Sequence, residues 1–257
     1  ARITIDATPA RWRARGVEAL ATWRIAPTGM KTHRKKKHRH VYDLGLLPRE
    51  VRTLRKQAGV VYHAFNFSAE PAHFAMRRNA GAYAWKPVLI KEMLDTHAAE
   101  VLWLDCGDRI VRPTALPKIF SVIRALGFVS ESSVRTTQRW VHPGMLTYLG
   151  AEGLDVTNCN GALVGAARFH RHYADIVEPW VRCARVEACI APPGSNRRNH
   201  RQDQAALTVL AHQAGVACRR MHLSVHYHHD DPSDEGTLDG RPKSSRPKSS
   251  RRPAGGG

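Results

Sequence analysis

The chain has 257 residues, a net charge of +18 and an apolar fraction of 42%. That length and composition allow one large α/β domain, or two small ones, with a sizeable core. No stretch is long and apolar enough to span a membrane. No Cys-x-x-Cys pair occurs among the five cysteines, so no zinc site is expected.

The charge is unevenly placed. Residues 31–40 hold six Lys/Arg and no acid, and residues 241–257 hold six more and no acid. Together these supply twelve of the eighteen charges and leave +6 on the rest. We read both runs as solvated, so nucleic acid is not the expected partner, although such runs can touch nucleic acid or anionic membranes. Three regions follow: an irregular basic segment over 1–40, one domain over 41–229 and a disordered basic tail over 230–257. The tail repeats Arg-Pro-Lys-Ser-Ser at 241 and 246, which is low complexity.

In chain order, residues 2–5 suit a short strand, and Pro, Gly and basic residues break any pattern up to 40. Residues 42–46 read as a strand end and turn. Pro48 suits the first turn of a helix that Gly59 would end. Residues 60–67 are rich in β-branched and aromatic side chains, as in a strand. This strand–helix–strand alternation predicts a mixed, mostly parallel α/β sheet flanked by helices. After a loop over 79–86, Pro87 opens a helix to about His97, with Leu89, Ile90, Met93 and Leu94 on one face. A stripe from Leu116 to Leu126 predicts a helix that Gly127 stops. Residues 128–130 suit a short strand and 142–149 a small surface helix.

Residues 162–165 form a further apolar strand. A helical stripe then runs from Tyr173 to Ala184, and Pro179 inside it predicts a kink or two abutting helices. Residues 201–214 read as a helix with Asp203 in its first turn and Gly215 as its stop. Residues 221–229 suit a last strand. Cys183 and Cys189 flank a five-residue gap that a disulfide could close in an oxidising compartment. Asn66-Phe67-Ser68 matches a glycosylation sequon. Both point to the secretory pathway, with a cytoplasmic location as the alternative. The chain begins with Ala, so a membrane anchor or signal could precede it.

The stretch over 101–111 carries the chemistry. Four apolar residues run straight into Asp105, and Asp108 follows. Carboxylates are too costly to bury unpaired inside such a strand. They belong at its C-terminal end, where an open α/β sheet binds ligands. Two acids on one turn can ligate a divalent cation, with phosphates completing its shell. The competing reading is a solvated Asp-Gly turn.

Three features now stand in order: Asp105-x-x-Asp108 at a strand end, Asn160-Gly161 before a strand, and Asp203-Gln204 at a helix start. With Tyr42-Asp43-Leu44-Gly45-Leu46, Tyr83-Ala84-Trp85-Lys86-Pro87, Trp103-Leu104-Asp105 and His200-Arg201-Gln202-Asp203-Gln204, they resemble the nucleotide-diphospho-sugar transferases of the GT-A fold. The glycogenin-like and galactosyltransferase families are among these. The set is similar to a eukaryotic family of glycosyltransferase-like proteins and covers about residues 41–215. One departure is clear: the family motif is Asp-x-Asp, and here Gly107 stands where the second acid belongs.

The resemblance implies a GT-A-like, Rossmann-like fold. It implies a nucleotide-sugar donor, a glycan, protein or lipid acceptor, and Mn2+ or Mg2+ held by Asp105 and Asp108. Tyr83, Trp85, Lys86, Asp105, Asn160, Gly161 and Gln204 would bind the donor, and Asp203 would be catalytic. Core packing is the alternative for Trp85, a solvated charge for Lys86, a turn role for Asn160 and helix-start stabilisation for Asp203. His222, His226, His228 and His229 are candidate third metal ligands. The displaced acid leaves two outcomes, a bulge that restores the metal site or transfer without metal. Two rival functions remain. One is a metal-dependent nuclease or phosphatase using Asp105, Asp108 and Asp203. The other is a non-catalytic module binding nucleic acid or an anionic surface.

Overall fold

The computed structural model describes residues 19–23, 39–106, 108–112 and 114–227. The expected strand at 2–5, the basic run before Arg39 and the tail over 230–257 lie outside those residues.

Strand β1 is Ala19–Trp23 and β2 is Arg39–Asp43. Helix α1, Pro48–Arg55, begins on Pro48, whose missing N–H removes no helical hydrogen bond there. The Glu50 carboxylate accepts the Leu47 N–H at 2.8 Å and closes the helix start. Strand β3, Val60–Ala64, follows. Helix α2 is Trp85–Thr96, β4 Glu100–Leu104 and β5 Arg109–Ile110. Helix α3, Ala115–Leu126, ends on Gly127, whose φ of +72° is left-handed. Gly127 donates its N–H to the Ile123 carbonyl at 2.7 Å.

The chain continues through β6, Phe128–Val129, and β7, Ser132–Thr136. Then come β8, Thr157–Cys159, and β9, Leu163–Ala167. A π-turn over Tyr173–Val177 abuts helix α4, Glu178–Arg185. This is the break that Pro179 predicts, and Pro179 sits in the first turn of α4. Helix α5 is Gln202–Gln213, and β10 is Val225–His226.

Six strands form one sheet in the order β3-β2-β1-β4-β9-β6. The expected sheet strands near 60, 101 and 163 all lie in it, and the class is mixed α/β. The expectation of mostly parallel pairing is corrected. Among the described residues, β2 and β3 alone pair in parallel; β1 with β2 and β4, and β9 with β4 and β6, are antiparallel. The strand–helix–strand alternation predicts parallel neighbours, but the apolar run of β4 requires only burial on both faces. That burial comes from helices on both faces. Val101 and Trp103 pack with α2, α4 and α5, whereas Leu102 and Leu104 pack with Leu116, Ile119, Phe120 and Ile123 of α3. Each such fully buried side chain contributes about 1.5–3 kcal/mol, so either direction of neighbour satisfies the pattern.

Three further elements differ from expectation. The segment read as irregular over 1–40 supplies β1, which sits between β2 and β4. The last strand shrinks to Val225–His226, paired with β5. The helix Pro143–Tyr148 buries Met145 completely, so it is not merely a surface element.

Cys183 and Cys189 form the expected disulfide, with α-carbons 5.2 Å apart. A second disulfide, Cys159–Cys218, ties β8 to the segment after α5. Cys106 belongs to neither bond. Among the described residues, no helix is long and apolar enough to cross a membrane.

Candidate functional site

One cavity of about 850 Å³ gathers Tyr83, Lys86, Asp105, Asn160–Gly161 and Asp203–Gln204 from four separate segments of the chain. Asp105 follows the last residue of β4. Its N–H donates to the Ala162 carbonyl at 2.9 Å, so the neighbouring entry to β9 fixes its backbone.

Lys86 lies in the first turn of α2 and is only 2% exposed. Its ammonium is 2.9 Å from Asp105 Oδ1 and 3.2 Å from Asp203 Oδ2, and it donates to the Gly161 carbonyl at 2.9 Å. The indole of Trp103 donates to the same Asp105 Oδ1 at 2.7 Å. A buried ammonium is tolerated only when it is paired, and two acids and a carbonyl do this here. Asp203, in the first turn of α5, is also buried. Burial pushes its carboxyl above the ordinary carboxylate range, Lys86 opposes that rise, and nearby Asp105 adds to it.

Asn160 and Gly161 form the turn into β9. The Asn160 side chain accepts the Ala162 N–H at 2.9 Å, as its alternative turn role required. A Cβ on Gly161 would stand 3.2 Å from Gln204 Cβ and 3.3 Å from Asp203 Oδ2. Absence of a side chain there lets the turn approach the start of α5.

Tyr83 ends a left-handed turn. Asn79, Ala80, Gly81, Ala82 and Tyr83 have φ of 50°, 53°, 62°, 50° and 53°. Such conformations cost about 1–2 kcal/mol per non-glycine residue, and surrounding structure must hold them. Trp85 contributes, donating its indole N–H to the Ala80 carbonyl at 3.1 Å. Trp85 is therefore a core residue, fully buried beside Trp103, and does not line the cavity as the donor-binding expectation had it.

Asp108 is corrected too. It is buried and donates its backbone N–H to the Asp105 carbonyl at 3.1 Å, but it is not on the cavity wall. Asp105 and Asp203 hold Lys86, and Asp108 lies apart from the wall. The cavity wall thus carries one, Asp105, of the two acids expected to hold Mn2+ or Mg2+. Of the four candidate histidine ligands, His222 lines the cavity, His226 pairs in β10, and His228 and His229 lie outside the described residues.

Sequence reasoning missed the cavity's cationic rim of Arg197, Arg201 and Arg220. Arg197 lies 4.9 Å over the Tyr83 ring, and Arg201 lies 4.0 Å over the Trp140 ring. A density of arginines just before Asp203, at 197, 198 and 201, was the available signal. Glu131 was missed as well. Its carboxylate accepts the Tyr227 hydroxyl at 2.7 Å and the Met221 and Leu223 N–H groups at 3.0 and 3.3 Å. It thereby fastens the C-terminal segment as a wall of the cavity.

His200 anchors the arginine loop from behind. Its Nδ1 accepts the His142 N–H at 3.2 Å, so Nε2 carries the proton and donates to the Ile190 carbonyl at 3.0 Å. Burial pushes this imidazole down to about 4 from an ordinary 6.5. Its folded-state pKa lies below the unfolded one, so the unfolded chain takes up the proton first as pH falls. Stability linked to His200 is thus full above pH 6.5 and is lost progressively down to about pH 4, by about 3 kcal/mol in all. Urea titrations at pH 7.5 and 4.5 should show that slope, and His200→Gln should flatten it. An equal slope in the variant would remove His200 as its source.

Comparisons with protein-family models, curated proteins and solved structures find no match.

Proposed function

We propose that the cavity binds a sugar nucleotide and that the protein transfers its sugar to an acceptor hydroxyl, on a variant of the GT-A arrangement. The observation that carries this reading is the convergence of Lys86, Asp105, Asn160–Gly161 and Asp203–Gln204 in one cavity of about 850 Å³ with an arginine rim. That volume lies within the range of about 300–1,000 Å³ of small-ligand sites. Tyr83 and Trp140 offer aromatic faces for a base, and Arg197, Arg201 and Arg220 offer cations for a diphosphate.

The chemistry assigns roles. Bond formation between the acceptor oxygen and the anomeric carbon accompanies breakage of the carbon–phosphate-oxygen bond, and the electron pair leaves on the diphosphate. Preorganised cations stabilise that growing charge. We assign this work to the arginines and transfer to a metal-independent route, because Asp105 and Asp203 are already engaged by Lys86, and Glu131 by the Tyr227 hydroxyl and two backbone N–H groups. Asp203, with its raised pKa, accepts the acceptor hydroxyl proton. Lys86 positions both acids. The two disulfides and the exposed Asn66, whose Oδ1 accepts the Ser68 hydroxyl at 2.7 Å, support a secretory-pathway lumen.

Calorimetric titration with a panel of uridine and guanosine diphosphate sugars tests the reading. One of them should bind equally well with and without chelator. Arg201→Ala and Arg220→Ala should each weaken it by about one to two decades, the equivalent of a charge-assisted hydrogen bond of about 1.5–3 kcal/mol. Asp203→Asn should keep donor binding and lose transfer. Binding abolished by chelator would restore the metal-dependent route, and no binding by any nucleotide sugar would end the reading.

A further inference from the structure

We propose that His40, His63 and His97 form a binding site for one divalent transition-metal ion of the Zn2+ class. Among the described residues, these three are the one group of His, Cys, Asp or Glu whose ligand atoms all lie within 4.8 Å of one another. They come from three elements. His40 is on β2, His63 is on β3, and His97 follows the last turn of α2.

Strand geometry explains the meeting. In the parallel β2–β3 register, Tyr42 stands opposite His63 and His40 opposite Val61. Side chains two apart share a face of a strand, so His40 and Tyr42 flank His63 on one face. Tyr42 stacks on the His63 ring with centroids 4.6 Å apart. The His97 ring closes the third side, with centroids 5.2 Å from His40 and 5.4 Å from His63. Its backbone N–H is held by the Met93 carbonyl at 3.0 Å. His40 is buried and the other two are half-buried, so the site has a fixed floor and an open mouth.

The contact between His40 Nδ1 and His63 Nε2, at 2.8 Å, needs a shared proton between two nitrogens. A tetrahedral ion with nitrogen ligands at about 2.0–2.1 Å sets those nitrogens roughly 3.4 Å apart. Replacing the proton by the ion therefore needs a movement of about half an ångström between these two rings. Three imidazoles suit zinc, copper, nickel and cobalt, and they do not suit magnesium or calcium, which prefer oxygen. Three protein ligands leave the fourth position to water. The absence of Cys-x-x-Cys gave no expectation of such a site, because its ligands are brought together only by the sheet and α2. Bound metal would pin β3, at the edge of the sheet, to β2 and to the end of α2. The site stands apart from the cavity and does not depend on sugar transfer.

The test uses the full chain after chelator treatment, titrated with Zn2+ against a chromophoric chelator. One Zn2+ per chain should bind, and the melting temperature should rise with it. Co2+ in its place should give the intense visible absorption of a tetrahedral site. His97→Gln, at a half-buried helix end, should weaken Zn2+ at least tenfold and abolish the thermal shift, while melting like wild type in chelator. His97→Asp, which restores an oxygen ligand, should recover part of the affinity. Combined His228→Gln and His229→Gln changes, just before the tail, should alter nothing. Absence of one-to-one binding overturns the proposal, and so does a weak octahedral Co2+ spectrum. Wild-type affinity in a folded His97→Gln protein, or loss of binding on changing His228 and His229, also overturns it. If His97→Gln fails to fold, one-to-one binding in His97→Asp that is weaker than wild type and keeps a tetrahedral Co2+ spectrum supports the site, and either wild-type affinity or no binding there removes it.

Discussion

A Lys86→Met variant is expected to lose about 3–5 kcal/mol of stability at pH 7 and to bind no sugar nucleotide. Removing the ammonium leaves Asp105 and Asp203, 18% and 7% exposed at the side chain, facing each other without the charge that joins them. Methionine matches the stem in volume, so the loss reports charge rather than packing. The pH dependence has a definite sign. Asp203 already titrates above the ordinary 3.8 because of burial, and Lys86 is the main influence pulling it back down. A carboxyl whose folded pKa is raised is protonated first in the folded chain. Its cost is therefore present above that folded pKa and fades as pH falls toward 3.8.

Loss of Lys86 raises the folded pKa further, so the deficit against wild type should shrink as pH falls through that raised folded value. Adding Asp203→Asn to Lys86→Met should recover most of the lost stability, because one buried charge is then gone. Urea denaturation of the four proteins in this cycle, at three pH values, gives the answer. A Lys86→Met protein as stable as wild type at pH 7, or a deficit that does not shrink, would falsify the view that Lys86 neutralises the two acids.

Removing the Cys159–Cys218 bond by a double alanine change should cost about 4 kcal/mol, the chain-entropy value for a separation of 59 residues. The same change at Cys183 and Cys189, only 6 residues apart, should cost about 2 kcal/mol. The first bond also has a functional consequence. Cys159 directly precedes Asn160, and Cys218 stands two residues before Arg220, so the bond joins the floor of the cavity to its C-terminal wall. Its loss should weaken diphosphate binding as well as stability, whereas loss of the second bond should change stability alone. Denaturant midpoints and calorimetry on both double variants separate these outcomes. Equal costs at the two bonds would show that native packing, not loop closure, sets the value.

Much of the site was legible in the sequence because its residues mark ends of elements. An acid directly after an apolar run, as at Asp105, belongs at a strand terminus on grounds of desolvation alone. An Asn-Gly pair before apolar residues marks a turn into a strand. Asp203 before a helical stripe marks a helix start. Each of these is a local rule, and each of the three residues lies on one cavity. Trp85 obeyed a different local rule. Its place in the first turn of α2 is set by the same motif as Lys86, but successive helical positions point in different directions. Lys86 faces the cavity and Trp85 faces the core.

By itself, the sequence determined the α/β class, the main helices, the Gly127 stop, the Pro179 break, the Cys183–Cys189 bond and the principal acids of the cavity; the first helix ends at Arg55, before the Gly59 expected to stop it. These depend on periodicity, capping chemistry and short separations, which act within a few residues. Tertiary structure alone decided the antiparallel placement of β1 and β9, the Cys159–Cys218 bond, the ion pairs of Lys86, the arginine rim and the three-histidine cluster. Those depend on which distant segments become neighbours. Strand order and helix packing bring Lys86 to Asp203 and His40 to His97, and no local pattern in the chain encodes such meetings. The same packing gives Asp105 its ammonium partner, because it places the Lys86 amine at hydrogen-bonding distance from the carboxylate.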